Sequence, residues 1–447
     1  MEFTKFKDIL FKKAKSEGFE DCEIYFSNRE SLSISVYEQE VEKYNLNKTF
    51  GLSFRGKVNG KMGYSFTEII DEDSIDMLIK NAKDAAMVIE SEDMQFIYEG
   101  DKEYAIVNSY SKDLENIDTE KLIEVAMNME KEAKKCSDKV ENIAGCSISY
   151  GNSTYGIYNT KGLALDNKVN LLSAYVVPVV NDGGNKYDGT GYLIAESINE
   201  LDASKIAKQG VDEALSRVGG RSIPTGKYKA IINNEAMVSL LGTFSGIFNA
   251  DSAQKGLSLL KDKEGKMIAS DIVTIIDNPH LEKGFASTPF DDEGVATYKK
   301  EVVSNGKLVT LLYNLKTAHK AGVKSTGNGF KSSYSSTVGT DITNFYIDKG
   351  NKSIDELMKD VDEGVLITEF AGLHSGANAI TGDFSLSSKG FYIENGKKSY
   401  PVEQITVAGN FFELLKIIED IADDLKFPMT SVGSPSVRVK ELSIAGK

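Results

Sequence analysis

The feature that most constrains the fold is a short break near the middle of the chain, at residues 219–226. This stretch contains two adjacent glycines and a proline, a composition typical of a linker or an exposed crossing. The chain has 447 residues, which is long for a single hydrophobic core. We therefore predict two domains, one of residues 1–220 and one of residues 226–447.

The two halves differ in their hydrophobic patterns. The first half alternates strand runs with amphipathic helices, two of which are predicted to begin at the N-caps Asp118 and Asp202. The second half is mostly strand-like and rich in glycine, with helices predicted near residues 235–247, 353–361 and 411–422. Helix and strand are therefore expected in both domains.

Composition and charge exclude several classes of protein. The net charge of -15 opposes binding to phosphate backbones, so a nucleic-acid partner is disfavoured. No apolar run approaches the roughly 18 residues that span a bilayer, and no signal-peptide h-region follows Met1. A cytoplasmic protein without a membrane segment is expected. The three cysteines, Cys22, Cys136 and Cys146, indicate reduced thiols and no disulfide framework.

The most informative motif is a helix start at residues 233–242, Asn-Asn-Glu-Ala-Met-Val-Ser-Leu-Leu-Gly. Asn234 is a favoured N-cap and Glu235 is favoured by the helix dipole, so capping alone explains the pair. A catalytic zinc needs nitrogen, sulfur or carboxylate ligands, and neither Asn234 nor Ser239 is a usual zinc ligand. We therefore predict no metal at this helix. Glu235, with no polarised water to deprotonate, is retained only as a candidate general base.

A second candidate is the glycine-framed loop Gly-Leu-His-Ser-Gly at residues 372–376. A histidine beside a serine suggests nucleophilic catalysis, but adjacent residues rarely have the geometry for proton transfer. Two interpretations stay open: a loop whose polar side chains bond to backbone, or a substrate contact through His374 and Asn378. The other histidines, His280 and His319, show no paired metal-ligand spacing.

Three consecutive acids, Asp291, Asp292 and Glu293, follow a threonine–proline pair and precede a glycine. Neighbouring carboxylates can bind calcium or perform acid–base catalysis. The proline and the glycine instead favour a turn, and we predict that this turn exposes its acids to solvent.

Several short segments, in a shared order over residues 226–447, carry a resemblance to a known family. Besides the helix start, they are Phe290–Gly294, Ser325–Gly329, Gly372–Asn378, Thr381–Ser385, Phe391–Gly396 and Ser434–Val437. In this order they resemble the TldD/PmbA family of zinc-peptidase-related proteins, also called the modulator of DNA gyrase family. Active subunits of that family carry His-Glu-x-x-x-His at the matching helix. Here Asn234 and Ser239 stand at the histidine positions, which resembles the PmbA (TldE) branch.

The resemblance implies an α+β fold of two domains. The N-terminal domain is expected to pack helices on a β-sheet, and the C-terminal domain to be mainly antiparallel β with a few helices. It also implies a homodimer, or a heteromer with a TldD-type zinc peptidase, around a groove that accepts unfolded peptide. The family's completing cysteine is absent from residues 413–436, so zinc is expected only in the partner and no cofactor here. The chain is thus predicted to be a non-catalytic subunit in cytoplasmic peptide proteolysis.

Two other functions stay open at this point. One is a standalone peptidase that uses Glu235 and His374 with an unusual metal or with none. The other is a self-associating binding protein that regulates a partner. Metal content separates the subunit from the standalone enzyme, and co-purification of a His-Glu-x-x-x-His homologue separates it from the regulator.

Overall fold

The computed structural model describes residues 1–89 and 94–447, and helices occur in both halves of the chain. They are α1 (Phe3–Ser16), α2 (Glu72–Val88), α3 (Thr119–Cys136), α4 (Ala203–Ser216), α5 (Asn234–Phe244), α6 (Ala250–Gln254), α7 (Leu315–Ala321), α8 (Ile354–Lys359), α9 (Leu373–Gly376) and α10 (Phe411–Lys416). Within these ranges, no helix combines the length and the apolar character needed to cross a membrane.

Strands dominate both halves. Those of the first half are β1 (Cys22–Tyr37), β2 (Glu40–Val58), β3 (Lys61–Thr67), β4 (Val140–Asn159), β5 (Ala164–Asp182), β6 (Asn185–Asp188) and β7 (Gly191–Ala195). Those of the second half are β8 (Gly226–Ile232), β9 (Ile275–Asp277), β10 (Lys300–Ser304), β11 (Lys307–Leu308), β12 (Gly329–Phe330), β13 (Gly339–Thr340), β14 (Phe345–Ile347), β15 (Glu363–Ala371), β16 (Asp383–Glu394), β17 (Lys397–Asn410), β18 (Ile418–Ile421), β19 (Val432–Gly433) and β20 (Val437–Ala445).

One antiparallel sheet extends through the whole first half. Its order is β3-β2-β1-β4-β5-β6, and β7 also pairs with β5. Because side chains alternate along a strand, the even-numbered residues of β1, such as Ile24, Leu32 and Ile34, share one face and are buried beneath helices. Helix α2 packs beside β2 and β3, α1 packs against α2 and β1, and α3 and α4 pack beside β4 and β5. The predicted packing of helices on a sheet is confirmed, and it leaves the opposite face to the odd-numbered residues.

Helices α3 and α4 begin where the sequence predicts. Asp118 Oδ1 accepts the Glu120 N–H at 3.1 Å, and Asp202 Oδ1 accepts the Lys205 N–H at 3.0 Å. Each cap satisfies a donor that the first turn of a helix leaves unpaired. The two N-caps predicted at the starts of α3 and α4 are confirmed.

Two larger sheets and the two-stranded sheet β12-β13 form the second half. One larger sheet has the order β17-β16-β15-β8-β20-β18 and the other β11-β10-β9-β14-β19. Apart from the parallel pairs β15–β8 and β14–β19, their strands are antiparallel, as predicted. A large hydrophobic core includes Leu240, Phe244 and Phe411 and contains residues of α5 and of both larger sheets, whereas a smaller one includes Leu357 of α8. This arrangement fixes α5 at the end of the parallel pair β8 and β15.

The break at residues 219–226 lies against β17. Gly219 adopts a φ of 80°, a left-handed conformation that glycine accepts without strain. The Arg221 N–H donates to the Pro401 carbonyl at 3.2 Å, and its guanidinium lies 3.7 Å from the centre of the Tyr400 ring. The crossing is therefore anchored and is not a free linker. The division into two domains at this point stays a prediction.

Candidate functional site

The start of α5 follows directly from the end of β8. The Asn233 N–H donates to the Ile367 carbonyl of β15 at 2.9 Å, so Asn233 still has extended backbone. Its side-chain oxygen accepts the Ala236 N–H at 2.8 Å. Asn233 is therefore the N-cap, and the prediction that Asn234 caps the helix is wrong. Asn234 is instead the first residue of the helix.

Asn234 is held by two residues near the C-terminus. Its side-chain amide donates to the Asp424 carbonyl at 3.0 Å, and its backbone N–H donates to Ser436 Oγ at 3.0 Å. Ser436 Oγ in turn donates to the Asp424 carboxylate at 2.7 Å. The Asn234 side-chain oxygen accepts the Glu235 N–H at 2.8 Å. The nitrogen and the oxygen of the Asn234 side-chain amide are thus both hydrogen-bonded to other groups of the protein.

Glu235 makes an ion pair that the sequence did not predict. Its Oε1 lies 2.5 Å from the Lys426 ammonium and accepts a hydrogen bond from the Tyr192 hydroxyl at 3.0 Å. The same ammonium lies 4.9 Å from the centre of the Tyr192 ring. Burial, and then the charge of Glu235, raise the pKa of the Tyr192 hydroxyl above its ordinary value. A protein cation therefore neutralises the carboxylate that would serve as the general base.

The residues around Glu235 do not fit a zinc ion. The Ser239 hydroxyl donates to the Glu235 carbonyl at 3.1 Å, within its own helix. Asn234 is bonded as above, and Glu235 Oε1 already receives the Lys426 ammonium. In the described ranges, no group of three or more His, Cys, Asp or Glu side chains is arranged to hold a metal. We derive no catalytic step through a metal at this site.

The glycine-framed loop forms α9, which lies against α5 and β16. His374 is exposed on this short helix. Asn378 Oδ1 accepts the N–H groups of Ile380 and Thr381 at 2.9 and 3.2 Å, so its side chain closes the following turn. Within the described part of the chain, His374 makes no hydrogen bond or ion pair with Glu235. Glu235 and His374, the two residues of the standalone-peptidase hypothesis, are thus neither hydrogen-bonded nor ion-paired to each other.

A groove crosses the helix-free face of the N-terminal sheet. Two cavities of about 270 and 550 Å³ share Ser109, Asn170 and Phe285 in their walls, so they form one continuous groove. The loop at residues 281–285 lies over it. Serine side chains line the floor: Ser27, Ser31, Ser33, Ser149, Ser153 and Ser173. Hydroxyls both donate and accept hydrogen bonds, so these serines suit a polar ligand, and Arg29 adds one positive charge to the same cavity wall.

The strand register directs this groove towards Glu235. One row of cross-strand neighbours is Ser33, Ser149, Ser173 and Ile194. The adjacent row is Ser35, Ser147, Tyr175 and Tyr192, whose last member bonds to Glu235. Phe427, which follows Lys426, also lines the groove. The Ser149 hydroxyl donates to the Ser33 hydroxyl at 3.5 Å, a long hydrogen bond at the limit of the geometric range.

The three acids expected on the surface are buried. Asp291, Asp292 and Glu293 are 0%, 7% and 4% exposed, because they pack against the N-terminal sheet. Arg55 Nη1 lies 4.0 Å from Glu293, and the backbone N–H of Lys331 donates to Asp292 at 2.8 Å. The turn itself is confirmed by the Asp291–Gly294 backbone hydrogen bond, but its predicted exposure is wrong.

Burial controls the charges in this cluster. It raises the pKa of Asp292 to about 6 and, with help from Arg55, lowers the pKa of Lys331 to about 8. Lys331 donates to Ser53 Oγ at 2.8 Å, and Arg55 lies 2.5 Å from Glu23. The cluster therefore joins the two halves of the chain through charged groups.

Comparisons with known proteins agree with this architecture. Family models of PmbA/TldA metallopeptidases match in order: domain 1 over residues 22–86, the central domain over residues 112–218, and the C-terminal domain over residues 225–446. Metalloprotease PmbA of Escherichia coli O157:H7 is 28% identical over 439 residues, covering 97% of this chain and 93% of that protein. A metalloprotease TldD homolog of Buchnera aphidicola is 29% identical over 280 residues, covering 59% of this chain and 58% of that protein.

Two solved structures share the whole fold. A Thermotoga maritima protein named as a proposed modulator of a DNA gyrase is 34% identical in sequence to this chain. The two structures superpose with a TM-score of 0.93, and the match covers 99% of this chain and 100% of that one. TldE from Thermococcus kodakarensis is 20% identical with a TM-score of 0.89, covering 99% and 100%, and it supports the fold alone. From the ordered family matches and the 34% identical neighbour, we conclude that the chain belongs to the PmbA/TldD metallopeptidase family.

Proposed function

We propose that this chain is a non-catalytic, peptide-holding subunit of a PmbA/TldD-type metalloprotease system in the cytoplasm. A relative that carries the zinc ligands would perform the cleavage. The observation that carries this proposal is the ion pair between Glu235 and Lys426, with an O–N distance of 2.5 Å. The names of the relatives, metalloprotease PmbA among them, support peptides as the substrate class.

The charge of Lys426 opposes a metal beside Glu235. A divalent ion bound to Glu235 would lie close to the Lys426 ammonium and be repelled by it, although solvent screens this repulsion because the Lys426 side chain is 37% exposed. This penalty adds to the lack of nitrogen or sulfur ligands at Asn234 and Ser239. Glu235 is therefore proposed to stabilise the start of α5, with no metal-bound water to activate.

The serine-lined groove supports the peptide-holding role. A peptide backbone is uncharged and alternates donors with acceptors, and hydroxyls such as those of Ser33, Ser149 and Ser173 match either kind of group. Such a floor recognises backbone and not particular side chains. The groove lining includes Ile194, two residues after Tyr192, and Phe427, next to Lys426, so a bound peptide would extend towards the helix that carries Glu235.

Metal content is the first test. We expect no stoichiometric zinc in the purified chain after dialysis against a weak chelator, measured by elemental analysis. The Lys426→Met variant removes the ammonium but adds no ligand, so it should also lack stoichiometric zinc. About one tightly bound zinc per wild-type chain would contradict the proposal and favour the standalone peptidase.

Peptide cleavage is the second test. The chain alone should leave unfolded peptides intact, and adding a relative with His-Glu-x-x-x-His should give chelator-sensitive cleavage. Ser149→Gln, which fills the groove, should raise the KM of the complex, whereas Ser399→Gln on the exposed part of β17 should not. Equal cleavage by the relative alone would remove the support for an accessory subunit.

A further inference from the structure

The two ends of the serine-lined groove carry opposite charges. Arg29 lines the larger cavity, and none of the described residues that line this cavity is acidic. The smaller cavity is lined by three acids and one lysine, which are Glu196, Glu200, Glu282 and Lys283. The groove is therefore positive at Arg29 and negative beside the loop at residues 281–285.

Arg29 supplies an unpaired charge to the groove. It is exposed, and in the described part of the chain its guanidinium makes no hydrogen bond, ion pair or ring contact. Arg29 and Ser33 are both odd-numbered residues of β1, so their side chains lie on the same face of the sheet. A guanidinium presents a planar fork of N–H donors that matches the two oxygens of a carboxylate. Arg29 is thus placed to bind a carboxylate in the groove.

The other end of the groove has more carboxylates than cations. Lys283 Nζ lies 3.2 Å from Glu196 Oε2. The hydrogen bond to Glu196, followed by the charges of Glu196, Glu200 and Glu282, raises the pKa of Lys283. One lysine cannot neutralise three carboxylates, so this end repels a peptide carboxylate and attracts an ammonium group. The two termini of a peptide therefore prefer opposite ends of the groove.

The distance between the two ends fits a short extended peptide. Arg29 lies four residues before Ser33 on β1, which is about 13 Å at roughly 3.3 Å per residue. The row of cross-strand neighbours from Ser33 to Ile194 crosses four strands and spans about 14 Å at roughly 4.8 Å between neighbours. The diagonal from Arg29 to Ile194, which lines the smaller cavity, is thus about 19 Å. About six extended residues span this distance.

We propose that the groove binds peptides in one orientation, with a carboxylate of the peptide on Arg29 and the amino terminus at the acidic end. This orientation rests on the proposed function, which is the holding of peptides. In a peptide of about six residues the carboxylate is the C-terminal one, and in a longer chain an Asp or Glu side chain takes its place. Leu171 and Phe285 line both cavities and contact an apolar side chain of the peptide between its ends. Arg29 is therefore a specificity-determining residue of the groove.

Isothermal titration of the full-length chain with the hexapeptide Ala-Ala-Leu-Ala-Ala-Ala tests the orientation. The C-terminal amide should bind about fivefold more weakly than the free acid, because the amide lacks the ion pair with Arg29. Arg29→Gln should weaken binding of the acid by the same factor and leave binding of the amide unchanged. Lys12→Gln removes an exposed charge from α1, on the helix-covered face of the sheet, and should change neither affinity. N-terminal acetylation should weaken binding to the wild type and to Arg29→Gln equally, because the amino terminus lies away from Arg29.

A peptide amide with Asp as its last residue separates the two sources of the carboxylate. Recovery of the affinity supports a side-chain carboxylate on Arg29, and no recovery supports the chain terminus alone. Equal affinities of the acid and the amide for the wild type, or an equal loss of both in Arg29→Gln, would overturn the orientation and leave the peptide-holding function intact. If none of these peptides binds, the peptide-holding function itself is contradicted, and the orientation with it.

Discussion

The ion pair between Glu235 and Lys426 yields a quantitative prediction. We consider Glu235→Gln, Lys426→Met and the double variant. Gln keeps the shape of the carboxylate, and Met keeps much of the lysine stem that lies over the Tyr192 ring. The three variants form a double-mutant cycle, which isolates the energy of the pair from the energies that each residue contributes elsewhere.

Three contributions determine the expected size. Loss of the charge–dipole interaction in the first turn of α5 costs about 0.3–1 kcal/mol. The ion pair contributes about 0.2–1 kcal/mol, since its side chains are 33% and 37% exposed and solvent screens them. Weakening the Tyr192 hydrogen bond from a charged to a neutral acceptor costs roughly 0.5–1 kcal/mol. Glu235→Gln should therefore lower the free energy of unfolding by about 1–3 kcal/mol, with a coupling to Lys426 of about 0.2–1 kcal/mol.

Urea unfolding followed by tyrosine fluorescence measures these energies, because the chain has 20 tyrosines and no tryptophan. The exposed pair Lys227–Glu441, with an O–N distance of 2.6 Å, provides a matched control cycle. Its side chains are 66% and 49% exposed, so its coupling should be smaller. A Glu235–Lys426 coupling of zero, or one no larger than the control, would refute the neutralisation of Glu235 and the metal exclusion built on it.

Three further predictions concern other parts of the chain. Asn233→Ala should lower the free energy of unfolding, measured by urea titration, by about 1 kcal/mol because the N-cap of α5 is lost. Asn234→Ala should keep the N-cap and lose only the hydrogen bonds of its own side chain, including the one to Asp424. The pKa of Asp292 is raised from 3.8 to about 6 in the folded chain, so the folded form binds this proton more tightly than the unfolded form does. As the pH rises from about 4 to 6, the contribution of Asp292 to the free energy of unfolding should fall by up to about 3 kcal/mol. The free energy of unfolding of Asp292→Asn should therefore depend less on pH in this range. His374→Ala should weaken peptide cleavage by the complex while the melting temperature and subunit association stay unchanged; unaltered cleavage would exclude His374 as a substrate contact.

Local signals in the sequence predicted the elements of the fold well. The caps Asp118 and Asp202 were predicted because each acts within its own first turn. Neighbouring residues alone could not predict whether Asn233 or Asn234 is the N-cap of α5. It depends on the hydrogen bond from Asn233 to Ile367, on a strand more than a hundred residues away.

The chemistry of the candidate site was harder to predict, because its partners are distant in sequence. Lys426 and Tyr192 reach Glu235 from 191 and 43 residues away, and no spacing rule connects them. The burial of the three consecutive acids from Asp291 to Glu293 was difficult to predict for the same reason. Their turn followed from proline and glycine, but their burial depends on Arg55 and on strands of the other half.

The continuous N-terminal sheet has a consequence for synthesis on the ribosome. β1 pairs with β4 from Glu23↔Asn159 to Ser35↔Ser147, and even the latter partners are 112 residues apart. At roughly 5–20 residues per second, β4 follows β1 by about 6–22 s. During that interval the hairpin of β1 and β2 can form, but the other edge of β1 stays unpaired. Residues 22–86, which match domain 1, are therefore synthesised several seconds before their sheet can be completed by β4. During this time chaperones can bind the unpaired edge of β1.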